Sequence, residues 1–254
     1  MTAAMKVAAR DIDHLTVTSA DPGAVAARLE QLGFTLTPEG TEPRCVCFNP
    51  ARDDMPNYIE LMEGSPDGVS LAVNVAELEG EERSFSWESS DGLEIDGSLV
   101  IGEGGGPIPW LPVRHILPDA LMEPEWVVHA NGALALHAVH AVSDDPKDTA
   151  RQLRLAWGAT SEQIFDGCML VRTGAVELLV WSPLAWQLEY RPAEVMAPEQ
   201  RPCIAGVAIA VERPRPLQAL LRANNVPFAL TEGDRVLVPP EQAGGLLIEF
   251  VPQT

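Results

Sequence analysis

The stretch that decides the fold is residues 12–33, IDHLTVTSADPGAVAARLEQLG. Its first residues alternate in character. Leu15 and Val17 point to one side, while His14 and Thr16 point to the other. This pattern is typical of a half-buried β-strand, and it places His14 on the more polar face.

A short helix is predicted directly after this strand. Asp21 offers a side-chain N-cap, and Pro22 suits the first helical position. Val25 and Leu29 then repeat at helical spacing until Gly33 ends the helix. The helix would therefore pack by one apolar stripe on one face of a sheet and leave the other face open for a site.

The same order of strand, helix and strands recurs along the chain. The clearest copies are residues 12–62, 134–180 and 204–251, and in each the last strand carries a lone glutamate among apolar residues. Residues 70–117 form the poorest copy, because residues 77–91 are charged and their helical stripe is weak. We therefore predict a duplicated sheet protein.

Three stretches are predicted to connect other elements of the chain. Residues 118–132 show neither strand nor helix periodicity, which predicts a connection. Residues 182–202 contain four prolines, which favour a second, extended connection. Residues 102–106, GEGGG, predict a hairpin turn, because no Lys-Ser/Thr pair follows as a phosphate loop requires. The resulting division is a first domain at 1–117, a connection at 118–133 and a second domain at 134–254.

Composition limits the partners. The chain has 254 residues, 46% of them hydrophobic, and a formal net charge of -20. Such an acidic surface repels phosphate backbones and anionic lipid, which argues against nucleic-acid or membrane-surface work and favours a small molecule as partner. A homodimer is compatible with this composition.

The sequence predicts a cytoplasmic protein, since it has no apolar run long enough for a secretory signal or a membrane span. Its four cysteines, Cys45, Cys47, Cys168 and Cys203, form neither a CxxC pair nor a dense framework. We expect them to be reduced thiols.

The glutamates of the closing strands are Glu60, Glu177 and Glu249. An unpaired buried carboxylate costs several kcal/mol, so each must meet a cation, a metal, hydrogen-bond donors or water. For Glu177 and Glu249 the simpler interpretation is a wet cavity or an arginine partner. Glu60 differs because its module also supplies His14. An imidazole and a carboxylate are both common ligands of divalent metals, so the two residues indicate part of a metal site.

These segments resemble a known family. Residues 12–14 (IDH), the helix that ends at residues 32–34 (LGF), and residues 58–61 (YIEL) are similar to the first module of the vicinal oxygen chelate superfamily, in its glyoxalase-like branch. Residues 131–133, 225–228 and 236–240 look like further segments of that branch. The resemblance covers most of the chain through diffuse patterning.

The resemblance implies an α+β protein of four βαβββ-like modules, whose strands form two curved-sheet half-barrel domains. In many members a histidine of an opening strand and a glutamate of a closing strand hold a metal that acts as a Lewis acid. His14 and Glu60 match this pattern. The cofactor implied is one divalent metal, Zn, Ni, Mn or Fe.

The resemblance also suggests further site residues. His115 is the candidate third ligand from the second module; the alternative is a helix- or turn-capping residue. Arg114 would bind a substrate carboxylate or neutralise local acids, and Trp110 would line the cavity or pack in the core. His140 would line the second cavity, where Glu177 or Glu249 could contact substrate or act as a base, although no catalytic residue is assigned.

Other modules depart from the family pattern, since Ala138 and Gly206 stand where His14 stands in the first. The leading functional hypothesis is a metal-dependent lyase, isomerase or dioxygenase acting on a small organic molecule. The alternatives are a non-catalytic protein that sequesters a small molecule in the same cavity, and a purely structural dimerisation module. A purely structural dimerisation module would not need carboxylates inside its apolar strands, which argues against the last alternative.

Overall fold

The computed structural model describes residues 6–39, 43–52, 55–64, 68–88, 94–117 and 123–253. Over these residues the strands form two sheets. The strands of the first sheet are β1 Ala9–Ser19, β2 Arg44–Arg52, β3 Met55–Glu63, β4 Gly68–Val75, β5 Glu81–Glu88, β6 Glu94–Ile101 and β7 Trp110–Leu117. Those of the second are β8 Ala133–Val142, β9 Thr160–Phe165, β10 Cys168–Arg172, β11 Glu177–Trp181, β12 Cys203–Val211, β13 Ala229–Leu230, β14 Val236–Val238 and β15 Leu247–Pro252.

The α-helices are few and short. In the described residues they are α1 Pro22–Gln31, α2 Pro146–Trp157, α3 Pro183–Glu189 and α4 Pro214–Ala223. The predicted start of α1 is confirmed, since the Asp21 side chain accepts a hydrogen bond from the Ala24 backbone N–H at 2.9 Å. The helix buries Val25 and Leu29, which are the predicted apolar stripe.

Each sheet is built from two related halves. The first has the strand order β2-β3-β1-β4-β7-β6-β5, with β1 and β4 antiparallel at the centre and the closing strands β3 and β7 parallel to them. The second repeats this plan, with β8 and β12 antiparallel at the centre and β11 and β15 parallel to them. The α+β fold with two curved-sheet domains is therefore confirmed.

In the described part of the second module, no helix corresponds to the helices of the other three. Residues 76–80 lead from β4 directly to β5, in the region where the charged sequence had given a weak helical stripe. Residues 102–109 join the antiparallel strands β6 and β7, as a turn should. The first sheet ends at Leu117 and the second begins at Ala133, while residues 118–122 of the predicted connection lie outside the described residues.

The prediction of an extended connection at residues 182–202 is wrong. Ser182 accepts a hydrogen bond from the Ala185 N–H and caps α3, and Pro183 occupies its first position. Trp186 and Tyr190 are buried against the second sheet, and their burial stabilises a helix too short to form alone.

One core joins both domains. Apolar residues from the helix-side faces of both sheets and from α1, α2 and α4 belong to a single buried cluster. Polar contacts reinforce this junction: the buried Asp11 carboxylate accepts hydrogen bonds from the N–H groups of Ala175 and Val176, at 2.6 and 2.9 Å. The sheet faces away from α1, α2 and α4 are outside this core, and α3 packs on that face of the second sheet.

Candidate functional site

A β-bulge in strand β1 shapes the site in the first domain. Opposite β4, Ile12 is paired with Val73 and His14 with Ala72, so Asp13 is the extra residue of the bulge. Because the bulge interrupts the alternation, the carboxylate of Asp13 reaches the His14 imidazole and accepts a hydrogen bond from it. Two consecutive residues therefore contribute to one polar cluster.

The buried carboxylate of Asp13 accepts hydrogen bonds from three described side chains. Nδ1 of His14 lies 2.7 Å from Oδ1, Nε2 of His115 lies 3.0 Å from the same oxygen, and Nδ2 of Asn74 donates to Oδ2 at 3.0 Å. Burial alone would raise its pKa, but the imidazoles of His115 and His14 hold the pKa of the Asp13 carboxyl well below its ordinary value. Asp13 stays ionised, so both ring nitrogens that face it carry hydrogen.

The other ring nitrogen of His14 faces Glu60. Nε2 lies 3.5 Å from Oε1 of Glu60, which comes from the closing strand β3, and the hydroxyl of Thr16 donates to the same oxygen. The ring of Tyr58 is stacked on the imidazole, with centroids 4.3 Å apart. The residues predicted to converge at positions 14 and 60 therefore do so.

His14 and Glu60 shift each other's pKa. Burial alone would lower the pKa of His14, but the carboxylates of Glu60 and Asp13 raise it from 6.5 to about 9. Burial alone would raise the pKa of Glu60, but His14 and the Thr16 hydroxyl hold it below its ordinary value. Without another ligand, the pair is thus ionic at neutral pH.

A cavity of about 180 Å³ opens beside this pair. Strand β5 contributes Arg83 and Phe85 to its lining, and β6 contributes Leu99 and Ile101. The thiol-bearing Cys45 of β2 also lines it. The cavity is thus an apolar chamber with a charged pair on one wall, which is an arrangement suited to a small organic ligand.

The other first-domain candidates lie elsewhere. The side chain of His115 is 1% exposed and contacts Asp13, and His115 is not one of the described residues that line the cavity. Its Nδ1 atom has no hydrogen-bond partner within the described part of the chain. Trp110 packs in the common core against Trp157, and its indole N–H donates a hydrogen bond to the Gly105 carbonyl at 2.5 Å. Arg114 is half-buried on the same face of β7 as Trp110.

The donor chemistry of the pair fits the first two positions of a divalent metal site. An imidazole nitrogen and a carboxylate oxygen suit Zn, Mn, Fe and Ni, and Asp13 fixes the imidazole through its other nitrogen, as carboxylates do behind metal-binding histidines. Among the residues that the structure describes, no third His, Cys, Asp or Glu completes the group. Further positions would thus belong to substrate or water.

The second domain has its own polar cluster, built on His140 and Glu249. Nε2 of His140 lies 3.3 Å from Oε2 of Glu249, while Arg235 binds the other carboxylate oxygen at 2.6 Å. The Tyr190 hydroxyl donates to Glu249 at 3.1 Å, and Trp181 donates to Nδ1 of His140 at 3.2 Å. Burial alone would raise the pKa of Glu249, but His140 and Arg235 lower it to about 2.

This second cluster is covered by its own chain. Trp186 of α3 and Tyr190 pack against the His140 ring, with centroids 6.2 and 5.7 Å away, where the first domain has its cavity. Glu177 is paired with Arg172 across strands β10 and β11. The arginine partner expected for the glutamates of this domain is therefore present for both.

Sequence reasoning missed Asp13, Arg83 and His129. An acid beside a histidine in an apolar strand was a usable signal for Asp13, but strict alternation would have placed it among the helix-side residues. His129 lies in the stretch predicted to be a connection, but it is buried, accepts a hydrogen bond from the Thr35 N–H and contacts the Cys47 carbonyl at 2.8 Å. No local pattern around Arg83 indicates a cavity.

The strand order and the paired modules define the class: the chain has the vicinal oxygen chelate fold, as the resemblance predicted. A triple mutant of 4-hydroxymandelate synthase from Streptomyces coelicolor matches it with a TM-score of 0.58 and 16% identity over 97% of this chain and 93% of that one. Catechol 2,3-dioxygenase matches with a TM-score of 0.56 and 12% identity over 97% of this chain and 88% of that one.

A xylose isomerase-like TIM barrel/4-hydroxyphenylpyruvate dioxygenase fusion protein also matches, with a TM-score of 0.53 and 11% identity over 97% of this chain. This chain spans 50% of the length of that protein. No protein-family model and no curated protein matches the sequence. At such identities the likeness establishes the fold.

Among the described residues, no helix has the length and apolar character needed to span a membrane.

Proposed function

We propose that this protein is an enzyme that acts on a small organic molecule bound in the first-domain cavity, with His14 and Glu60 as the residues that hold a divalent metal. The observation that carries the proposal is the 3.5 Å approach of His14 Nε2 and Glu60 Oε1 on a cavity wall that is otherwise largely apolar. A fixed polar pair in such a chamber concentrates electrostatic effects on one part of a ligand.

The residues have distinct roles in this proposal. Asp13 keeps the His14 ring in one orientation, because it holds Nδ1 and leaves Nε2 directed at the cavity. Glu60 supplies the anionic oxygen, and Thr16 fixes that oxygen. A bound divalent metal would supply Lewis-acid stabilisation of developing negative charge on substrate oxygens. His115 acts through Asp13, which it contacts.

The alternative is a non-catalytic protein that binds the same kind of molecule without a metal. This alternative is favoured by the donor set, because only two possible ligands converge within the described residues. It is also favoured by the apolar walls, including Phe85 and Leu99, which suit sequestration as well as catalysis.

Metal analysis of the purified protein separates the two functions. The protein would be dialysed against Zn, Mn, Fe or Ni in turn, and bound metal would be measured by elemental analysis and calorimetry. The enzyme proposal expects about one equivalent of one metal, with binding lost in His14→Ala and in Glu60→Gln. The exposed His137 of β8 offers a matched control, since His137→Ala should retain the metal.

Two results would contradict the proposal. Metal that stays bound in both His14→Ala and Glu60→Gln lies at another site. A protein that takes up no metal under any of these conditions, yet retains a co-purified organic molecule in native mass spectrometry, is a binding protein.

A further inference from the structure

The part of the cavity lining that β5 contributes carries one guanidinium. Arg83 lies on strand β5 across from Leu99 of β6, and both line the cavity together with Phe85. It is the only Lys or Arg among the described lining residues. Its side chain is 53% exposed, so it combines contact with the cavity and access to solvent.

Arg83 forms only a weak ion pair among the described residues. Its Nε lies 3.7 Å from Oε1 of Glu81, and both side chains are more than half exposed, so solvent screens this pair. The negative charge within the cavity is already compensated, since Glu60 faces His14 and the Thr16 hydroxyl. The guanidinium is therefore the positive charge available to a ligand at the cavity wall.

The size and lining of the cavity restrict the rest of the ligand. At about 180 Å³ the cavity is smaller than the roughly 300–1,000 Å³ typical of drug-sized ligand pockets. Met62, Phe85 and Ile101 give it apolar walls. A ligand that fits must thus be small, with an apolar body and few polar groups.

We infer that Arg83 binds a carboxylate of the substrate, so that the substrate class is a small monocarboxylate with an apolar body. A guanidinium meets a carboxylate through two parallel N–H donors, which fixes orientation as well as charge. The carboxylate would lie near the solvent-accessible side, the apolar body would contact Phe85 and Ile101, and the reacting oxygens would lie toward His14 and Glu60. This inference rests on the proposed function, because it uses the same cavity.

The test compares acids with their neutral amides. Binding of benzoate, benzamide, hexanoate and hexanamide to the purified protein would be measured by ligand-observed NMR titration. We expect each acid to bind more tightly than its amide, and Arg83→Met to weaken acid binding about tenfold while amide binding changes less than twofold. Arg83→Lys should retain part of the preference, and Arg83→Glu should abolish it.

Arg151 provides the control, because it lies exposed on α2 and pairs with Asp148. Arg151→Met should leave all four affinities unchanged. The inference is overturned if neither acid binds, if each acid and its amide bind equally, or if the preference persists in Arg83→Met and Arg83→Glu.

Failure of this inference and failure of the proposed function give different results. A protein that holds metal at His14 and Glu60 but binds acids and amides alike retains the function and loses the inference. A protein that prefers acids through Arg83 but takes up no metal retains the inference as a binding protein.

Discussion

Nδ1 of His14 donates a hydrogen bond to the carboxylate of Asp13 at 2.7 Å, although the two residues are consecutive in strand β1. In a regular strand their side chains would lie on opposite faces. The bulge at Asp13 removes this restriction and lets one segment supply both an imidazole and the carboxylate that orients it.

Asp13→Asn should weaken the site and the fold together. The amide removes the charge that faces His14 and His115, and its NH2 group would compete with their N–H donors. We expect metal affinity to fall 10–100-fold and the free energy of unfolding to fall by about 3 kcal/mol. Calorimetry and urea unfolding measure these two quantities.

The control for this prediction is Asp96→Asn, a change at an exposed position of β6. Wild-type metal affinity and stability in Asp13→Asn would show that the Asp13 charge does not matter.

His129 should make stability depend on pH. Burial lowers the pKa of this imidazole from 6.5, and the hydrogen bond to the Cys47 carbonyl offsets only part of that effect. The unfolded chain therefore takes up the proton first, so the contribution of neutral His129 to stability is complete above pH 6.5 and declines as the pH falls below it. Urea unfolding at a series of pH values should show this decline, and His129→Asn should remove it.

The exposed His137 again gives the comparison, since His137→Asn should leave the slope between pH 5 and 7 unchanged. Equal slopes in the wild type and in His129→Asn would contradict the assigned role of His129.

The repeated modules could be predicted because their signals are local. Alternation around Leu15, the cap at Asp21 and the stop at Gly33 each act within a few residues, and the structure confirms the strand and helix they indicate. The convergence of His14 and Glu60 followed from placing both on the face away from the helices.

The features that could not be predicted depend on contacts between residues far apart in the sequence. The helix α3 was missed because prolines outweighed the Ser182 cap, and its stability comes from burying Trp186 against the second sheet. Arg83 reaches the cavity because β5 and β6 form one edge of the first sheet, whereas the sequence of residues 77–91 shows only a weak helical stripe. Such placements are decided by tertiary packing.

Asp11→Ala should loosen the junction between the domains. The variant leaves the N–H groups of Ala175 and Val176 without the carboxylate that accepts their hydrogen bonds. Because Val176 is buried, we expect the free energy of unfolding to fall by about 3 kcal/mol. Thermal and urea unfolding measure the change, with Asp166→Ala at an exposed turn as the control. A loss below about 0.5 kcal/mol would show that these contacts contribute little.

The cluster in the second domain should stabilise the protein in a way that acid removes. The pKa of Glu249 is lowered from 4.5 to about 2, so the folded protein keeps this carboxylate ionised where the unfolded chain would protonate it. The corresponding stability, roughly 3 kcal/mol, is present above pH 4.5 and is lost as the pH falls toward 2. Glu249→Gln should be less stable than the wild type at pH 7, and the difference should shrink steadily between pH 4.5 and 2.

Urea unfolding across this pH range checks the Glu249 prediction. Glu241→Gln, at an exposed position before β15, is the matched control and should follow the wild-type curve. A difference between wild type and Glu249→Gln that stays constant from pH 7 to pH 2 would mean that the substitution acts through packing. If instead the difference closes, the ion pair with Arg235 and the contact with His140 are what stabilise the covered cluster, and charge holds it together.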